Sequence, residues 1–199
     1  CAEENLGEIH LNVPGEHNIM NSLGAVALGF ELGLSFKCIK DGLKNYNGVR
    51  RRFDIKGTYK DIMIVDDYAH HPTEVRETIN AVKNGWSHKL IVIFQPHLFS
   101  RTKEFYKDFA NALETADNVI LTDIYPAREN PIPGVTSKLI FDQIKTKDTE
   151  ELFYLKDLDK LEGLVDKLVE SESIVLTLGA GNIWRYGETY FKHLKESFN

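Results

Sequence analysis

The sequence predicts an α/β fold, a doubly wound and mostly parallel sheet of Rossmann type, preceded by one strand and two helices. Two observations carry this. From residue 53 onward, short apolar runs of the kind that fill buried parallel strands alternate with stretches of helical period. The unusual polar residues gather directly after those runs, at the edge where an open α/β sheet binds its ligands. The alternation places strands at 53–59, 61–66, 90–95, 118–124, 152–155 and 173–178. Helices fall near 73–84, 100–115, 136–146, 158–170 and 182–196.

Residues 8–13, Glu-Ile-His-Leu-Asn-Val, alternate apolar and polar side chains and read as a half-buried edge strand. Pro14-Gly15 then turns the chain. From Glu16 to Leu32 the period is helical, with Ile19, Met20, Leu23, Val26, Ala27 and Phe30 on one stripe and Gly33 as the stop. A second helix, Lys37 to Tyr46, closes at Asn47-Gly48, and Cys38 within it reads as a small buried hydrophobe. One strand and two helices are too little to bury a core. Residues 1–49 therefore read as the tail of an incomplete domain, and 50–199 as a domain of their own.

The central stretch is Asp66-Asp67-Tyr68-Ala69-His70-His71-Pro72-Thr73-Glu74. Ile62-Met63-Ile64-Val65 ahead of it is strand-like. Behind it Pro72 suits the first helical position, and Val75, Ile79 and Val82 continue an amphipathic helix. Three more strand ends deliver polar residues to the same edge: Gln95-Pro96-His97 with Ser100-Arg101-Thr102, Asp123 to Glu129, and Gly179-Ala180-Gly181-Asn182. Four converging loops make a site where one would be weak evidence. Singly, each has a plainer reading: an Asp caps a helix, His97 packs beside a proline, Arg101 is solvated, and the glycine pair is only a tight turn. Asn18 alone reads as a helix cap, and Arg50-Arg51-Arg52 as a solvated run. At a domain junction, however, guanidinium groups suit phosphate.

Composition narrows the class. The chain has 199 residues, a formal net charge of −6 and 42% hydrophobic residues. That balance argues against a nucleic-acid or anionic-membrane surface. No apolar run approaches the roughly 20 residues that span a bilayer. No basic segment with an apolar core opens the chain, so no signal peptide is expected and cytoplasm is the default location. Two cysteines cannot build a disulfide framework or a Cys-based zinc site. No internal repeat or obligate protein partner is evident.

In order and spacing, Gly15-Glu16-His17-Asn18-Ile19-Met20-Asn21, Gly48-Val49-Arg50-Arg51-Arg52-Phe53 and the 66–74 stretch resemble the Mur ligases. Phe94-Gln95-Pro96-His97, Ser100-Arg101-Thr102 and Tyr125-Pro126-Ala127-Arg128-Glu129 narrow the resemblance to the members that join L-alanine to UDP-N-acetylmuramate in peptidoglycan synthesis. It implies an ATP-dependent ligation with Mg²⁺, in which the sugar carboxylate becomes an acyl phosphate and the alanine amine displaces phosphate. It also implies that Asn18 and Asn21 lie along the adenine side, that Arg52 reaches the phosphates, and that Asp67 holds the ribose or orients its neighbours. By the same resemblance Tyr68, His70, His97 and Arg101, with bulky Tyr125, should line the amino-acid pocket, and catalysis should fall to Asp67, His70 and Arg52. Where several relatives carry a second arginine this chain has Leu98, leaving Arg101 to clamp the carboxylate alone. The family's Walker A string, G-x-x-x-x-G-K-[ST], does not occur here. The expectation is therefore a fragment: the tail of the central ATPase domain plus the C-terminal domain, inactive alone, with the metal held outside this chain.

Two rival readings remain on the residues. Asp66, Asp67, His70, His71, His97 and Asp123 are ligand types of a two-metal phosphoesterase. A non-catalytic Rossmann nucleotide-binding module is the other, although the full glycine fingerprint is lacking.

Overall fold

The computed structural model describes residues 5–145 and 151–197, and the chain divides into two compact units, Cys1–Val49 and Arg50–Asn199. The C-terminal end of the helix expected at 136–146 lies outside the described residues.

The first unit holds helices α1 (Glu16–Glu31) and α2 (Phe36–Lys44). Ser35 caps α2 by accepting a hydrogen bond from the Cys38 amide. Gly29 lets the two helices approach, since a Cβ there would lie 2.7 Å from Ile39 Cδ1. Little else is covered: Ile19, Met20, Leu23 and Leu28 on α1 all remain more than half exposed. Two sequence expectations fail in this unit. Residues 8–13 form no strand, because a strand needs a neighbour for its backbone groups and the unit's described residues supply none. Cys38 is exposed, not buried, because Ile39 beside it takes the inward position.

In the second unit, strands β1 (Asp54–Tyr59), β2 (Ile62–Asp67), β3 (Lys89–Phe94), β4 (Asn118–Thr122), β5 (Glu151–Leu155) and β6 (Ser173–Leu178) form one sheet. Their order is β1-β2-β6-β3-β4-β5. Only β1 runs antiparallel, paired with β2 through a tight turn. Five helices cover the sheet: α3 (Pro72–Gly85), α4 (Phe99–Leu113), α5 (Lys138–Lys145), α6 (Leu161–Leu168) and α7 (Trp184–Ser197). The stretch expected as a helix over 158–170 is divided. Leu158–Lys160 is a 3₁₀ turn capped by Asp157, and α6 follows it.

The period-2 alternation of buried strands sorts the core onto two faces. Val65, Val92, Phe94, Val119 and Leu176 pack beneath Val75, Ile79, Phe109, Leu113 and Ile140 of α3, α4 and α5. Ile62, Ile64, Ile91, Ile93 and Val175 point to the other face, against Leu161, Val165, Tyr190 and Leu194 of α6 and α7. Because β2, β6, β3 and β4 are parallel, Asp67, Leu178, Phe94 and Leu121 end in register at one edge. A further bridge between His97 and Tyr125 carries the β3–β4 alignment beyond the strand ends. Among the described residues no helix is long and apolar enough to cross a membrane.

Candidate ligand site at the carboxyl edge

At the end of β2 the two aspartates are buried and fully engaged. Asp66 accepts from Arg51 Nε at 3.1 Å and from Thr177 Oγ1 at 2.8 Å, while Arg51 also donates to the Gly179 carbonyl at 2.7 Å. Asp67 accepts from the Phe53 amide at 2.8 Å and from the Ala69 amide at 2.7 Å, one oxygen to each. Burial pushes both carboxyls above the ordinary range, and these donors work against the rise. The pair thus joins the loop ahead of β1 to the loop after β2. Asp67 is an organiser of backbone, and each carboxylate oxygen of the pair already accepts a hydrogen bond.

Past the aspartates the chain opens. Tyr68 lies under the Arg51 guanidinium, 4.8 Å from carbon to ring centre, and edge-on to His70. Helix α3 begins with a capping box: His71 accepts from the Thr73 amide, and Glu74 takes the amides of His70 at 3.0 Å and His71 at 3.2 Å. The same Glu74 oxygen lies 3.3 Å from His70 Nδ1, and its other oxygen 3.7 Å from Arg52. Burial alone would raise the Glu74 carboxyl, but the His70 amide, the His70 ring, the His71 amide and Arg52 bring it below the ordinary value. Arg52 itself is more than half exposed.

The loop after β3 brings the other half. His97 stacks on Tyr125 at 5.8 Å and meets His70 edge-on at 6.0 Å. Arg101, in the first turn of α4 and four residues on, donates to His97 Nδ1 at 3.3 Å. Burial, followed by the charges of Arg101 and His70, pushes the His97 imidazole below its ordinary value. Between His97 and α4, Leu98 holds φ 73°, a conformation that favours glycine. The Tyr125 carbonyl fixes it by accepting from the Leu98 amide, and Thr102 bonds the Leu98 carbonyl.

Gly179-Ala180-Gly181-Asn182 does not cradle an anion. The Gln95 carboxamide occupies the start of that turn, accepting from the Asn182 and Ile183 amides and donating to the Asn182 side chain. A Cβ on Gly181 would collide with Gln95 and come within 2.7 Å of Tyr125. The glycine is there for close packing, and the amides that start the turn are already taken by Gln95.

The structure therefore brings Asp67, Tyr68, His70, His97, Arg101 and Tyr125 to one edge, with Arg52 beside Glu74. Asn18 and Asn21 belong to the first unit. Asn18 sits in the first turn of α1 and donates to the Pro14 carbonyl at 2.6 Å, and Asn21 is exposed on the next turn. Sequence reasoning did not single out Arg51, Glu74 or Gln95 for their work here. The third residue of a capping box was a readable signal for Glu74. Nothing in a run of three arginines tells which one turns inward.

The fold is an α/β domain of the doubly wound class, with polar residues gathered at the carboxyl edge of its sheet. Residues 51–181 match the family model of the Mur ligase glutamate ligase domain, and the chain belongs to the Mur ligase family. It is 47% identical over 190 residues to a UDP-N-acetylmuramate–L-alanine ligase of Geotalea uraniireducens, covering 96% of this chain and 42% of that protein. It is 46% identical over 194 residues to the ligase of the same name in Geotalea daltonii, covering 98% and 42%. The crystal structure of a UDP-N-acetylmuramate-alanine ligase from Thermotoga maritima superposes with a TM-score of 0.83 at 31% identity, over 98% of this chain and 41% of that one. The chain thus spans about 42% of the length of these curated relatives.

Proposed function

We propose that this chain is the C-terminal part of an ATP-dependent ligase that joins L-alanine to UDP-N-acetylmuramate in the cytoplasm, at the start of peptidoglycan stem-peptide synthesis. The observation that carries the reading is the convergence of Tyr68, His70, His97, Arg101 and Tyr125 at one sheet edge. An edge of this composition, one arginine among aromatic and imidazole rings, suits a short amino acid. Arg101 would hold its carboxylate, and the aromatic rings would limit its side chain. Arg52, exposed and tethered only loosely to Glu74, would reach phosphate oxygens, and Asp67 would hold the loops that present these groups. Residues 1–49 would be the tail of the central ATPase domain, with Asn18 and Asn21 on the adenine side. The exposed apolar residues of α1 support that reading, since in the longer protein they would be covered. ATP and its Mg²⁺ would be held mainly by a Walker A-bearing segment, which this sequence lacks.

The sealed aspartates weigh against the two-metal phosphoesterase, and the plugged glycine turn against the nucleotide module. The test compares this chain with a protein lengthened by a Walker A-bearing segment, each given ATP, UDP-N-acetylmuramate and L-alanine. The lengthened protein is expected to release phosphate and form the amide, and this chain to do neither. Equal phosphate release by both would overturn the fragment reading; no amide from the lengthened protein would overturn the ligase reading.

A further inference from the structure

Two histidines meet at this edge, and their hydrogen bonds set them in opposite tautomers. His70 Nδ1 lies 2.9 Å from the Tyr68 carbonyl and 3.3 Å from a Glu74 oxygen. Both are acceptors, so Nδ1 carries the proton and the lone pair of the neutral ring sits on Nε2. His97 Nδ1 instead receives the Arg101 guanidinium, which can only donate, so the lone pair is spent there and the neutral ring's proton sits on Nε2. One ring therefore offers the site an acceptor and the other a donor.

From this geometry we infer that His70 Nε2 is the proton acceptor for the incoming amine, and that Glu74 is the positioning residue that fixes its tautomer. The inference rests on the ligase reading above. In the step, the amine lone pair forms the C–N bond to the acyl carbon. The C–O bond to phosphate breaks, and its electrons leave with the phosphate. The ammonium nitrogen loses two protons overall. His70 Nε2 takes one and passes it to solvent, and the departing phosphate keeps the other. Around His70, the charged and titratable groups are Glu74 on α3, Tyr68 on its own loop, and His97 on the loop after β3. Arg52 lies behind Glu74, and Arg101 behind His97. Protonating His70 thus places positive charge against the Glu74 carboxylate, and the neutral His97 opposes it least.

The test begins on the unmutated chain, by long-range ¹H–¹⁵N correlation of ¹⁵N-histidine, with the His70 signal assigned by its loss in His70→Gln. The expected pattern at neutral to mildly alkaline pH is a protonated Nδ1 and a bare Nε2 at His70, and the reverse at His97. Glu74→Gln keeps an oxygen to cap α3 but removes the charge. It should let part of the neutral His70 ring move its proton from Nδ1 to Nε2 in this chain, and in the lengthened enzyme lower kcat with an unchanged KM for ATP. A proton on His70 Nε2 in the unmutated chain would overturn the proposal. So would a Glu74→Gln enzyme whose kcat is unchanged although the His70 tautomer has shifted. If the lengthened enzyme forms no amide at all, the ligase reading falls and takes this role with it. The tautomer pattern then still reports whether Glu74 sets the ring.

Discussion

The loops after β2 and β3 bring matching parts to the carboxyl edge and hold them differently. Each strand ends in polar residues that are buried and consumed by the fold, Asp66 and Asp67 on one and Gln95 on the other. Each then presents a histidine a few residues later. The loop after β2 holds its histidine by acceptors, the Tyr68 carbonyl and Glu74; the loop after β3 holds its own by a donor, Arg101. The lesson is that distance from the strand separates building residues from presenting ones. Within the presenting pair, the neighbour of Nδ1 decides what Nε2 can do.

The sharpest way to break this division is to compare Asp67→Ala with His70→Ala. Removing the Asp67 side chain strands the Phe53 and Ala69 amides in the interior. At ~1–3 kcal/mol for each unsatisfied buried group, the chain should lose about 2–6 kcal/mol of stability. His70 is half-buried and gives up essentially one ring hydrogen bond, so His70→Ala should cost about 1 kcal/mol or less. Its effect belongs to turnover, where loss of a general base lowers kcat by about 10²–10⁴-fold in the lengthened enzyme. Urea unfolding of the two variants and steady-state kinetics check the two halves. A His70 variant that unfolds as readily as the Asp67 variant would erase the distinction.

How much of this was readable beforehand follows the same line. The strands at β2, β3, β4 and β6 were legible because they are buried on both faces and so almost uniformly apolar. His70, His97, Arg101 and Tyr125 were legible because topology sends polar residues after parallel strands to one edge. What escaped depends on the three-dimensional neighbour. Arg51 turns inward through a left-handed residue, φ 62°, with its amide on Asp54, while Arg52 beside it stays out. Gln95 reads as one more polar residue until Asn182, far along the chain, is seen to bring its amides there. Residues 8–13 carry a strand's alternation, but pattern does not supply a partner.

Arg101 sharpens the comparison at a smaller scale, because it has two tasks: donating to His97 and, on the proposed reading, holding the amino-acid carboxylate. A hydrogen bond to a charged group is worth ~1.5–3 kcal/mol, so Arg101→Ala should raise the KM for L-alanine by about tenfold to a hundredfold. The KM for ATP should hardly move. Arg101→Lys should recover only part of the effect, since an ammonium cannot present the guanidinium's paired donors. A variant with an unchanged alanine KM would remove Arg101 from the site.

The smallest effect concerns the charge state of His97, and it needs no substrate. Burial and the neighbouring Arg101 and His70 hold its folded-state pKa below the ordinary value of about 6.5. Between that lowered value and about 6.5 the unfolded chain binds the extra proton, so stability rises with pH through the window. His97 thus contributes stability that is present above about pH 6.5 and lost as pH falls through its folded pKa. The other histidines are common to both proteins, so the informative quantity is the difference between the unmutated chain and His97→Gln. The lost stacking on Tyr125 is a constant offset over this range. Calorimetric Tm values at about pH 7.5 and about pH 5.5 should show the unmutated chain losing more on acidification than the variant. An equal loss in both would mean that His97 is not held neutral, and the donor role assigned to its Nε2 would fail with it.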